Sequence, residues 1–298
     1  MGREVHFFWQ QPLVIPRMVL IGLAVLIFET EMSFGQQIAA NYRGTTTVAT
    51  AAVPKINTIQ FETANFRVYG APTPLIAQEV CETAERVRND MALLWLGQSL
   101  PDWSKPCLIR VRVGDNLGAG GSTTFVFDKG EVFDWDMSVQ GSLERILDSV
   151  LPHEITHTIW ASILRKQVPR WIDEGAATSV EHESEKSRYR KMLLEFLRQD
   201  VRRGLPFNKM VALTEYPDDW KPFYSQSYST VEYLIALGGH QKLLQYTMDA
   251  TQNGDWNAPL RTHYGIDNLG VLQTSWIDWV VNGHVPSLTL RADSAVLR

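Results

Sequence analysis

The chain has 298 residues, enough to bury a full core in one large or two small domains. Its hydrophobic fraction of 45% and charged fraction of 20% are those of an ordinary globular protein, and no internal repeat is present. The formal net charge of −5 is mildly acidic, so overall charge does not draw the chain to nucleic acid.

The amino terminus reads as a targeting segment. Met18 to Phe28 is an uncharged apolar run, preceded by Arg3 and Arg17. A membrane-spanning helix needs about 20 apolar residues, so the run suits the h-region of a signal peptide better. Ser33-Phe34-Gly35 puts small residues at −3 and −1 of a cut before Gln36. Residues 1–35 are thus expected to be a signal peptide. The alternative is an uncleaved anchor, because Met1 to Arg17 is long for a bacterial n-region. Either way the rest of the chain is exported, and membrane contact is expected through that anchor alone. Residues 36–55 are rich in Thr and Ala and read as a linker.

Residues 56–140 predict a small α/β lobe. Phe61–Tyr69 alternates like a strand, and Pro72–Leu96 reads as a helix. Cys107–Val113 is a second strand. Thr123–Phe127 and Val132–Met137 flank Asp128-Lys129-Gly130, a hairpin signature. An edge strand of such a sheet would offer its backbone to an extended peptide. An oxidising compartment permits a disulfide between Cys81 and Cys107, tying the helix to the strand after it; the alternative is two buried free thiols. Neither cysteine has companions at zinc-ligand spacing.

From Gly141 onward nearly everything reads as helical. Gly141-Ser142 offers a cap, and Glu144 lies in the first turn. Leu143, Ile146, Leu147, Val150, Leu151, Ile155, Ile159 and Ile163 recur at spacings of three and four. Pro152 either kinks this helix before His153 or marks its true start. The helix carries His153-Glu154-Ile155-Thr156-His157. Residues four apart share a helix face, so both imidazoles can reach one ion. Glu154 is turned roughly 100° from His153, where it can take a proton from a metal-bound water.

Catalytic zinc has three protein ligands and one open position. Glu174 is the candidate third, in Pro169-Arg170-Trp171-Ile172-Asp173-Glu174-Gly175-Ala176-Ala177. The chain can turn at Gln167–Pro169 and begin a helix packed across the first. Gly175, Ala176 and Ala177 would let these two helices approach closely. Asp173 either orients a histidine through its other ring nitrogen or caps the helix.

In these segments the sequence resembles the gluzincin zinc metallopeptidases, the peptidase MA-like family, in which the helix motif is followed by P-x-W-x-x-E-G-x-A. The resemblance covers about residues 140–240. It implies Zn²⁺ held by His153, His157 and Glu174, with Glu154 as general base. It also implies an oxyanion-stabilising tyrosine nine residues before a Tyr-Leu pair. That spacing fits Tyr224 and Tyr233-Leu234, with Gly238-Gly239 behind, and Tyr228 is the rival. One stretch departs from the aminopeptidase branch: Gly118-Ala119-Gly120-Gly121-Ser122-Thr123-Thr124 stands where Gly-x-Met-Glu-Asn would hold a substrate amino terminus.

The basic run from Arg188 to Arg203 alternates with apolar residues and reads as an amphipathic helix with a solvated charged face. Trp220, Trp256, Trp276 and Trp279 read as core, and 284–298 as a tail. The expected fold is α+β and zincin-like: the 56–140 lobe with an edge-stranded sheet, a mainly helical lobe over 141–283, and the zinc site in the cleft between them. The expected function is a zinc metallopeptidase acting on a peptide or protein substrate. The alternatives are a zinc hydrolase of a non-peptide amide or ester, and an inactive gluzincin-like binding module.

Overall fold

The computed structural model describes the backbone of residues 2–7, and residues 58–199, 204–217 and 220–283. The apolar run Met18–Phe28, the 36–55 linker and the 284–298 tail lie outside the described residues. No helix among the described residues is long and apolar enough to cross a membrane. The fold is α+β. The chain divides into two compact units: the first takes in residues up to Val87 and Asp102–Glu154, the second Arg88–Pro101 and the residues from Ile155 onward.

The first unit is built on a six-stranded mixed sheet of order β1-β5-β6-β4-β3-β2. Its strands are β1 (Gly2–Phe7), β2 (Phe61–Glu62), β3 (Phe66–Tyr69), β4 (Cys107–Val113), β5 (Gly120–Asp128) and β6 (Glu131–Gly141). The alternating 61–69 stretch is two short antiparallel strands rather than one: the amide of Thr63 bonds the Phe66 carbonyl and turns the chain. Helix α1 (Pro74–Leu96) connects the parallel strands β3 and β4. Along β4, Cys107, Ile109 and Val111 are buried while Leu108, Arg110 and Arg112 are exposed, as a half-covered sheet requires. The β5–β6 hairpin closes at Lys129 and Gly130, with φ of 50° and 78°. Two successive positive φ values suit the right-handed twist of a two-residue hairpin. Strand β1 pairs antiparallel with the outer edge of β5, from Gly2 opposite Phe127 to Phe7 opposite Ser122. Sequence periodicity marks no strand there.

Cys81 and Cys107 are free and buried. The Cys81 thiol meets Thr63 Oγ1 at 3.3 Å and the Phe66 carbonyl at 3.4 Å. Burial raises both thiols above their ordinary range, so they behave as apolar core groups rather than nucleophiles.

The remaining elements are helical: α2 (Leu143–Arg145), a π turn over Ile146–Val150, α3 (Leu151–Leu164), α4 (Arg170–Ser179), α5 (Glu183–Gln199), α6 (Phe207–Met210), α7 (Trp220–Gly238), α8 (His240–Asn253), α9 (Asn257–Tyr264) and α10 (Leu269–Val281). The second unit packs α4 and α5 on α7. A Cβ on Gly175 would come within 2.6 Å of the Ser227 carbonyl oxygen and of Val231 Cγ2. The glycine therefore serves the close approach of α4 to α7, not of α4 to the zinc-motif helix as its position after Glu174 suggests. Tryptophans fill this unit: Trp276 donates to Ser229 Oγ at 3.0 Å, Trp256 meets Trp171 edge-on, and Trp279 lies against Tyr233. The basic face of α5 is not all solvated. Arg190 binds Glu232 on α7 and Glu183 on its own helix, with its side chain 25% exposed.

Candidate metal centre

The site begins with how the motif helix starts. Ser142 Oγ accepts from the Arg145 amide at 3.4 Å and caps α2. The helix then widens into the π turn, where the amide of Leu151 reaches back to the Ile146 carbonyl. Pro152 follows as the second residue of α3. Proline has no amide hydrogen and its ring clashes with the preceding turn of an α-helix. The widened turn lies where that clash would fall, so the chain passes from α2 to α3 through the π turn. The helical run is continuous from Leu143 to Leu164, so Pro152 does not mark its start; the chain instead widens in the turn just before it.

On α3 the two imidazoles are buried, with His153 0% and His157 1% exposed. One ligand atom from each of His153, His157 and Glu174 lies within 4.8 Å of the other two. His157 Nδ1 is 2.8 Å from Asp173 Oδ1. That bond leaves Nε2 as the nitrogen that points onward, the arrangement in which a carboxylate orients a metal-binding imidazole. Asp173 thus orients His157, and its own amide bonds the Pro169 carbonyl in the first turn of α4.

The donor set fits a divalent cation. Two imidazoles and a carboxylate are the ligands of a catalytic zinc site. Glu174 and Asp173 are each 1% exposed and Glu154 is 0%. Carboxylates removed from water are costly unless a cation or strong hydrogen bonds compensate them, and an ion at this point would supply that compensation.

Glu154 is held from β5. Thr123 Oγ1 donates to its Oε2 at 2.6 Å, and both residues are fully buried. Gly121, two residues earlier on the same strand, leaves room for the carboxylate: a Cβ there would lie 2.6 Å from Glu154 Oε1. The Gly118–Thr124 stretch that departs from the aminopeptidase pattern is therefore the strand against which Glu154 rests.

Around Glu174 stand two tyrosines. Tyr216 donates its hydroxyl to Glu174 Oε1 at 2.5 Å. Tyr224, 1% exposed, stacks on the Tyr216 ring at 5.9 Å and 17°. Desolvation first, and then the Glu174 charge, push both phenols well above their ordinary range, so both remain protonated donors. The Tyr228 hydroxyl instead donates to Glu232 Oε1 at 2.9 Å, and the Arg190 guanidinium lies over its ring. Of the two tyrosines singled out by spacing, Tyr224 stands beside Glu174 and Tyr228 is engaged elsewhere.

Residues 145–282 match the family model of the Peptidase MA superfamily. This part of the chain is a gluzincin-like peptidase MA domain. No curated protein and no solved structure matches the chain. The peptidase MA domain contains His153, Glu154, His157, Asp173, Glu174, Tyr216 and Tyr224, whereas Gly121 and Thr123 come from the sheet before it. Sequence reasoning missed Thr123 and Tyr216. Alternation along β5 can place Thr123 on an inward face, but not opposite Glu154. Tyr216 lies in a short polar loop before Pro217, with no motif to mark it.

Proposed function

We propose that this chain is a zinc-dependent metallopeptidase that hydrolyses peptide bonds with Glu154 as general base. The observation that carries the reading is the buried His153–His157–Glu174 cluster, with Glu154, the residue after His153 on α3, held by Thr123. A divalent ion held there would polarise the scissile carbonyl and make water acidic enough to attack near neutral pH. His153, His157 and Glu174 would hold it, and Asp173 keeps His157 in the tautomer that leaves Nε2 to the ion. Glu154 takes the proton from the attacking water as the C–O bond forms. It then passes that proton to the leaving nitrogen as the C–N bond breaks. The Tyr224 hydroxyl donates to the carbonyl oxygen as negative charge develops on it. An exported position belongs to the same proposal, resting on the Met18–Phe28 run and the small residues before Gln36.

The test is metal analysis of the purified chain with hydrolysis of a quenched fluorogenic peptide library, before and after treatment with a zinc chelator. One zinc per chain and cleavage that chelation abolishes and zinc restores are expected. Bound zinc with turnover only of non-peptide esters or amides would move the enzyme to another substrate class. Bound zinc with no turnover of any substrate would make the chain a binding module.

A further inference from the structure

We propose that Tyr216 is a positioning residue for the metal centre, fixing Glu174 for the ion and so setting metal affinity from outside the ligand set. The inference rests on the reading of Glu174 as a metal ligand and deepens it. A glutamate has three side-chain torsions, and ordering a long flexible side chain costs rotamer freedom. Part of that cost is removed beforehand if a fixed donor already holds one carboxylate oxygen.

Tyr216 is such a donor. The Arg170 guanidinium lies 5.0 Å from its ring centre, Tyr224 stacks on it at 5.9 Å, and Phe223 meets it edge-on at 6.3 Å. Arg170 and Glu174 are four apart on α4, so one helix face presents both the group over the ring and the group that takes the hydroxyl proton. Pro217 follows directly and restricts the Tyr216 backbone to extended conformations. The phenol's one proton goes to Glu174. Tyr216 therefore has none for a reacting carbonyl.

The test needs no substrate. The zinc dissociation constant is measured by competition with a chromophoric chelator for the wild-type chain, Tyr216→Phe and Tyr224→Phe. Outer partners of metal ligands typically contribute about 10–100-fold in affinity. Tyr216→Phe should weaken zinc binding by that factor, and Tyr224→Phe should leave it within about threefold. Equal affinity of Tyr216→Phe and wild type would overturn the proposal while leaving Glu174 a ligand. A wild-type chain that binds no zinc would overturn the metal reading as well. Should Tyr216→Phe fail to fold, a crystal structure of the zinc-loaded wild type decides. A Tyr216 hydroxyl within hydrogen-bond distance of Glu174 supports the proposal, and one turned away from it overturns it.

Discussion

At the scale of single residues, the candidate ligand cluster was legible because its information is local. His153 and His157 sit one helical turn apart, and Glu174 follows in a segment with its own pattern of Pro, Trp and Gly. What holds Glu154 and Glu174 was not legible, because Thr123 and Tyr216 arrive from a strand and a loop with no sequence relation to the motif. Thr123 gives the sharpest expectation. Thr123→Val keeps the volume but removes the donor to Glu154, so kcat should fall about 10–100-fold with KM and zinc content unchanged. Thr123→Ser should restore most of the loss. A Thr123→Val enzyme with wild-type kcat would show that the hydroxyl does not orient the base. Tyr224→Phe should likewise lower kcat with little change in KM, because its bond to the oxyanion forms only in the transition state. Tyr228→Phe is the control, since that hydroxyl is bonded to Glu232, and an equal loss in both variants would refute the assignment.

At the scale of elements, helix period and hairpin chemistry were readable, and the exceptions have definite causes. The 61–69 strand splits because alternation survives a tight turn: Phe61 and Phe66 lie on either side of the Thr63 reversal. The π turn before Pro152 is not encoded in hydrophobic spacing, which reads the same whether a helix has four or five residues between bonded groups. Partner choice was the larger gap. Gly175 after a candidate ligand suggests contact with the motif helix, yet its missing side chain accommodates α7. Gly175→Ala should therefore destabilise the fold by about 1–3 kcal/mol, the usual cost of overpacking a tight interface. Urea unfolding of the zinc-free chain measures this directly. An unchanged midpoint would mean that the α4–α7 contact is looser than described. Arg190 also shows why a basic run is a poor guide to exposure: its partner Glu232 lies 42 residues further along the chain.

At the scale of the whole molecule, composition and charge excluded classes without choosing a function. The α+β character followed from strand-like alternation before Gly141 and helical period after it. The sheet order was not readable, because β5 and β6 form a hairpin whereas β4 joins β6 in parallel across it. The two cysteines are separate buried thiols, so no covalent link ties α1 to β4 and the core alone holds them together. All of this architecture bears on function through one claim, that a buried carboxylate beside a metal takes the proton of the attacking water. The most direct test is Glu154→Gln, with bound zinc and peptide hydrolysis measured on the same purified sample. General-base assistance is typically worth about 10²–10⁴-fold. The account predicts one zinc per chain, an unfolding midpoint close to wild type and hydrolysis lower by at least that factor. Hydrolysis at the wild-type rate with zinc in place would contradict it.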